Sequence, residues 1–229
     1  MMLIFIHGSG STSLVWHYQT EYFPNSEAIS LPGHPEGELC ANIEGYADWL
    51  HQYVLDQGYS EPVLVGHSLG GAVAQAYALN YPEDVKGLVL IGTGARLRVK
   101  PELLGLVEAG IDDPPAWLKN FIEPLYNRVA FELRETAVKE VAGLGAGVQL
   151  DDLRCCDGFD IMDKVHQIEV PTLVICGSED QMTPVKYSQY LSTKIDSARL
   201  VVIDGGTHLA FMERPEEVNR AIKEFLSGL

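Results

Sequence analysis

Within GHSLG, at 66–70, a serine stands between two glycines, each two positions away. The pattern G-x-S-x-G between a strand and a helix describes a tight turn that holds a serine hydroxyl at its tip, open to a reacting atom. Bulk two positions from that serine would collide with its strained backbone, and glycine removes the obstacle. The plain alternative is a glycine-rich packing turn. A serine hydroxyl is a poor nucleophile until a base takes its proton, and the base needs a carboxylate to orient it. The chain offers seven histidines and 32 acidic side chains for those two tasks.

The elements that must hold these groups are readable from the apolar pattern. Six short runs alternate with helical patterns: LIFI at 3–6, EAISL at 27–31, PVLVG at 62–66, GLVLIG at 87–92, PTLVICG at 171–177 and RLVVIDG at 199–205. Runs that are apolar at successive positions suit strands buried on both faces of a parallel sheet, so the fold class is α/β. PVLVG leads straight into the serine turn. Leu69, Ala72, Val73, Ala76 and Leu79 then form the stripe of a helix that leaves the turn and stops at Pro82. A last helix is expected from Pro215, with Glu216 and Glu217 in its first turn and Val218, Ala221, Ile222, Phe225 and Leu226 as its buried stripe. From 94 to 170 the strand rhythm lapses, and helical stretches over 101–109, 115–126 and 129–144 follow one another. An insertion of that length exceeds a simple crossover. It reads as a helical lid, about 97–164, on a single domain whose core is 1–96 and 165–229.

Composition narrows the partners. With 229 residues, 46% hydrophobic and 21% charged, the chain suits one globular domain, and no apolar run approaches the length of a membrane span. Sixteen basic against 32 acidic side chains give a net charge of −16, which repels phosphate backbones, so nucleic acid is not an expected partner. The opening MMLIFIHGSG has no basic leading segment, does not read as a signal peptide, and leads us to expect the cytoplasm. Of four cysteines, Cys155 and Cys156 are adjacent and Cys176 lies in an apolar run. That spacing fits reduced structural thiols and no metal site.

Five motifs together give the chain a resemblance that spans nearly its whole length: HGSGS after the first strand, GHSLGG at the serine, YPEDVKGLVLIGT, VPTLVICGSEDQMTP, and IDGGTHLAFMERPEEV near the end. It resembles the α/β-hydrolase family, in its lid-bearing carboxylesterase and haloperoxidase-like branch. The resemblance implies a mostly parallel sheet of about six strands flanked by helices, a further edge hairpin common in the family having no counterpart before LIFI. It implies Ser68 as nucleophile, His208 in DGGTHLAF as general base and Asp180 in GSEDQMTP as the orienting acid, in the family's chain order. Glu179 is the rival acid; Asp204 reads as structural. The oxyanion donors would be the backbone N–H groups of Leu69 and Ser9. His7 and His67 fall inside motifs and read as packing or hydrogen-bonding residues. His17, His34, His51 and His166 match no catalytic position and read as surface or local structural residues, while Trp16 reads as a packing residue. The implied chemistry needs no cofactor and no metal, and HGSG is not the HGGG type of a lipase-like subclass.

The lid carries Leu103, Leu104, Leu106, Val107, Trp117, Phe121, Leu125 and Phe131; most would pack in the core, and the rest would wall an apolar pocket. Arg96, Arg98 and Lys100 form a basic cluster, either solvated or an anion site. Arg128, Arg134 and Arg154 facing the serine would favour a carboxylate-bearing substrate. The leading expectation is hydrolysis of small to medium, largely apolar carboxylic esters through an acyl-enzyme. The same fold and triad also serve carbon–carbon bond hydrolases and lyases, thioesterases and perhydrolases, and a slow-turnover ligand receptor is a third class. An aspartate is absent at the nucleophile position, which disfavours dehalogenase and epoxide-hydrolase chemistry.

Overall fold

The computed structural model describes residues 1–229. Six strands form one sheet: β1 (Leu3–Ile6), β2 (Ser26–Ile29), β3 (Val63–His67), β4 (Gly87–Ile91), β5 (Thr172–Gly177) and β6 (Ala198–Ile203), in the order β2-β1-β3-β4-β5-β6. Every pairing is parallel, with Ile6 opposite Gly66 and Ile91 opposite Ile175. β1, β3, β4 and β5 are buried at every position, as strands covered on both faces must be.

Ten helices complete the fold: α1 (His17–Tyr22), α2 (Ile43–Asp56), α3 (Leu69–Asn80), α4 (Pro101–Ala109), α5 (Pro114–Trp117), α6 (Glu123–Leu125), α7 (Phe131–Gly158), α8 (Val185–Lys194), α9 (Ala210–Glu213) and α10 (Pro215–Leu226). α2, α3 and α8 pack on one face of the sheet, around Ile4, Leu64, Leu88 and Val174. α9 and α10 cover the other, around Phe5, Val65, Val89 and Ile175. In α10, Pro215 opens the helix, Glu216 and Glu217 lie in the first turn, and Val218, Ala221 and Ile222 are buried. Burying Val218 or Ile222 contributes about 1.5–3 kcal/mol each. No helix is long and apolar enough to cross a membrane.

Helices α4 to α7 form the insertion between β4 and β5. Its last element differs from the sequence expectation, which ended a helix at 144. α7 runs on to Gly158, broken only at Gly145, whose φ of 86° and ψ of 163° are not helical. Glycine adopts that positive φ freely, so the chain turns there and a second helical segment resumes over the carboxyl ends of the strands. The apolar residues of the insertion divide between core and surface. Trp117 and Val107 are buried in the core, whereas Phe131 is 57% exposed.

Parallel strands bring their carboxyl ends to one edge. Residue 9 follows β1, residue 68 follows β3, residue 180 follows β5 and residue 208 follows β6. Because β2 lies outside β1 and β3 lies on its other side, the chain changes winding direction between β1 and β3, where an open α/β sheet leaves a crevice for a ligand.

Candidate active site

Ser68 sits between β3 and α3 with φ 51° and ψ −114°, a backbone conformation that a side-chain-bearing residue holds only when its surroundings enforce it. The enforcement is visible. A Cβ on Gly66 would lie 2.2 Å from the Gly70 carbonyl oxygen, and one on Gly70 would lie 2.3 Å from that of Ile6. With glycine at both places, β3, the turn and α3 close on one another. Ser68 N–H donates to Ile91 O at 2.9 Å, and Thr93 Oγ1 donates to Ser68 O at 2.8 Å. The Ser68 residue is 9% exposed and opens into the crevice.

His208 Nδ1 donates to Asp180 Oδ2 at 2.9 Å, both side chains being buried. This hydrogen bond fixes the tautomer with the proton on Nδ1 and leaves the Nε2 lone pair free. The Asp180 carboxylate is saturated: Oδ1 accepts the backbone N–H groups of Met182 and Thr183, each at 2.9 Å, and Oδ2 also accepts Thr183 Oγ1 at 2.7 Å. Burial alone would push this carboxyl group up. The charge and hydrogen bond of His208, with the Thr183 donors, outweigh that and hold it at about 2. Glu179 points elsewhere, exposed and paired with Arg128 Nη1 at 2.8 Å. His67 Nε2 donates to the His208 carbonyl at 3.0 Å; burial, reinforced by nearby His208, pushes its imidazole well below the ordinary value. Ser68 and His208 line the same crevice without a direct hydrogen bond between them. Such contacts often tighten only when substrate is bound.

On the other side of Ser68 runs the loop after β1. Neither the Ser9 N–H nor the Leu69 N–H donates to any backbone group, which leaves both available to an incoming oxygen. Gln149 Nε2 approaches Ser9 Oγ at 3.2 Å, and Gly10 N–H donates to Asp152 Oδ2 at 2.7 Å. Asp152 is fully buried and also accepts His34 Nε2 at 2.8 Å and Tyr46 Oη at 3.2 Å. Of the two readings for His34, surface or local structural, the second fits: it is 1% exposed. Burial pushes its imidazole down, but the hydrogen bond and charge of Asp152 prevail and raise it. His7 completes this cluster, its ring 4.8 Å from that of His34. Its Nδ1 donates to Gly8 O at 2.8 Å and its Nε2 accepts the Leu31 N–H at 3.0 Å. Burial, with the His34 charge, pushes it down to about 3. Gln149 and Asp152 were missed in the sequence because they lie on the segment of α7 beyond the glycine break.

The crevice divides at Ser68. A small alcove of about 30 Å³ lies against Val15, Phe121, Leu125 and Phe211. A larger cleft of about 680 Å³ is lined by Leu97, Val99, Leu103 and Leu153 together with Arg98, Lys100 and Lys186. Arg128 and Arg154 are bound to surface carboxylates and line neither space. His17, 45% exposed, and His51, paired with Asp84, stand away from the site.

The chain also matches the alpha/beta hydrolase family model over residues 3–221. The protein belongs to the alpha/beta hydrolase family. It is similar to a solved thermophilic esterase, with 34% identity and a TM-score of 0.83 over 99% of this chain and 89% of that one. A malate-bound thermophilic esterase from Thermogutta terrifontis is 26% identical, with a TM-score of 0.86 over 100% of this chain and 90% of the other. The pimeloyl-[acyl-carrier protein] methyl ester esterase of Aromatoleum aromaticum is 29% identical over 99% of this chain and 98% of its own length. Family, fold and named relatives together make this member of the family a carboxylesterase-type hydrolase.

Proposed function

We propose that the protein hydrolyses carboxylic esters through an acyl-enzyme on Ser68. Ser68 Oγ attacks the ester carbonyl carbon while His208 Nε2 takes its proton. The resulting oxyanion lies between the Ser9 and Leu69 N–H groups, aimed where charge develops. Collapse expels the alcohol, which takes the proton back from His208, and a water activated by the same Nε2 then releases the acid and restores the serine. Asp180 stabilises the imidazolium formed in each half-reaction. The helical insertion acts as a lid whose apolar residues select the substrate.

The observation that carries this reading is the buried 2.9 Å hydrogen bond from His208 Nδ1 to Asp180 Oδ2, opening on the same crevice as the strained Ser68. The unequal spaces beside Ser68 favour an ester with one small and one larger substituent. The named esterase relatives support ester hydrolysis over carbon–carbon cleavage, thioester hydrolysis or perhydrolysis. The test is turnover of a short p-nitrophenyl ester by the wild type and by Ser68→Ala. The expected loss is on the order of a million-fold in kcat with the fold intact, as when a serine nucleophile is removed. Substantial residual turnover would overturn the assignment.

A further inference from the structure

The wall of the larger cleft reverses the charge of the molecule. The chain has twice as many acidic as basic side chains, yet Arg98, Lys100 and Lys186 line this space with no aspartate or glutamate among its lining residues. Lys186 also lines an adjoining hollow together with Arg96, and no carboxylate lines that one either. Arg96 and Arg98 share Asp160, at 3.7 and 3.6 Å, so their charge is partly answered. Lys100 and Lys186 form no ion pair; the ammonium of Lys186 lies only over its neighbour Tyr187, 6.0 Å from the ring centroid. Two unpaired, solvent-exposed ammonium groups thus line a space that Ser68 lines as well.

The volume, about 680 Å³, lies in the range of small-molecule sites. Its walls combine apolar residues, Leu97, Val99, Leu103 and Leu153, with the lysines. An apolar acyl chain would leave those water-exposed cations without a counter-charge. A chain that ends in an anion would answer them, and in a protein of net charge −16 a local positive wall offsets the repulsion that an anionic substrate meets. Resting on the esterase reading above, we propose that the substrate is an ester whose larger portion is an apolar chain ending in a carboxylate or phosphate, held by Lys100 and Lys186. Lysine suits this role because its ammonium is a point charge on a flexible stem, able to meet anions at more than one depth.

The experiment compares wild type and Lys100→Gln/Lys186→Gln on four activated esters of hexanoic acid whose chains end in methyl, carboxylate, phosphate or trimethylammonium. At low salt the wild type should favour at least one anionic ester over the methyl-ended one by roughly tenfold, through KM, as expected for partly exposed ion pairs. The preferred anion identifies the source. The trimethylammonium ester should be the poorest, and about 0.5 M salt should shrink the preference. In the double variant, the ratio of kcat/KM for anionic over methyl-ended ester should collapse toward one. Equal use of all four esters by the wild type, or an unchanged ratio in the variant, overturns the proposal while leaving the esterase reading intact. If the wild type turns over none of them, the esterase reading fails. Calorimetric titration of adipate and of hexyl phosphate then judges the cleft: binding weakened in the variant supports it, and no binding to the wild type overturns it.

Discussion

Asp152 Oδ2 accepts the backbone N–H of Gly10 at 2.7 Å, joining two residues 142 positions apart. One carboxylate thereby ties the insertion to the loop that carries Ser9, and the same carboxylate holds His34 and Tyr46. Thr12 and Glu140 make a second tie between that loop and α7. The loop is therefore set by α7 as much as by β1.

The first prediction concerns that tie. Asp152→Ala leaves three buried donors without an acceptor and should destabilise the fold by about 3–5 kcal/mol, the range for breaking a buried charged pair. Asp152→Asn keeps an oxygen for Gly10 but loses the charge that His34 answers. If Asp152 positions the Ser9 N–H, Asp152→Asn should lower kcat for a neutral ester while leaving KM nearly unchanged, since the oxyanion exists only in the transition state. A variant that loses stability in urea titration yet keeps full kcat would show that Asp152 serves folding alone.

The second prediction separates the two neighbouring acids. Asp180 touches His208, and Glu179 is exposed and bound to Arg128. Asp180→Asn should lower activity roughly ten-thousand-fold, because an amide neither fixes the base's tautomer nor stabilises the imidazolium. Glu179→Gln should stay close to wild type. Both are read on one activated ester, and the reverse ranking would refute the acid assignment.

These residues differ in how far the sequence disclosed them. Ser68 was legible because its turn demands glycine at 66 and 70, where a Cβ would strike backbone, and that demand is written in consecutive letters. The strands were legible because burial on both faces leaves unbroken apolar runs. Asp152, Gln149 and His34 were not. A polar residue in a helix ordinarily faces solvent, and nothing local says that Asp152 meets a histidine 118 positions away. The insertion resisted for the same reason: helical spacing shows which residues share a face, while Trp117 and Phe121 are divided between core and cavity only by the tertiary packing.

That division gives the third prediction. Phe121 lines the small alcove beside Ser68, whereas Trp117 is buried among core residues. Phe121→Ala should enlarge the alcove and shift relative kcat/KM toward esters with a bulkier small substituent, by roughly ten- to two-hundredfold at most for such apolar contacts. Trp117→Ala should instead cost about 3–5 kcal/mol of stability through the cavity it leaves, with the order of preference among esters kept. Preference shifting in Trp117→Ala and not in Phe121→Ala would reverse these roles.

The fourth prediction concerns pH, and its sign follows from the buried histidines. His7 is held at about 3 against an ordinary 6.5, first by burial and then by the charge of His34, and its Nε2 already accepts the Leu31 N–H. Protonation there would set two donors face to face. A histidine depressed on folding stabilises above its unfolded value, and that stability is lost as pH falls from 6.5 toward about 3, at roughly 1.4 kcal/mol per pH unit. His67 acts in the same direction. Asp180, lowered from 3.8 to about 2 with His208 as its chief stabilising partner, adds a further loss across that lower window. His34 acts oppositely: raised by Asp152 in spite of burial, it stabilises below 6.5 and loses that contribution as pH rises through its folded value. Stability should therefore peak close to 6.5 and fall on both sides. Urea unfolding of the wild type and of His7→Asn from pH 4 to pH 9 checks this. His7→Asn is expected to be less stable at neutrality but to lose stability more gently on acidification. A wild type whose midpoint is flat between pH 6.5 and 4, or a variant with an equally steep acid limb, would remove His7 as the source.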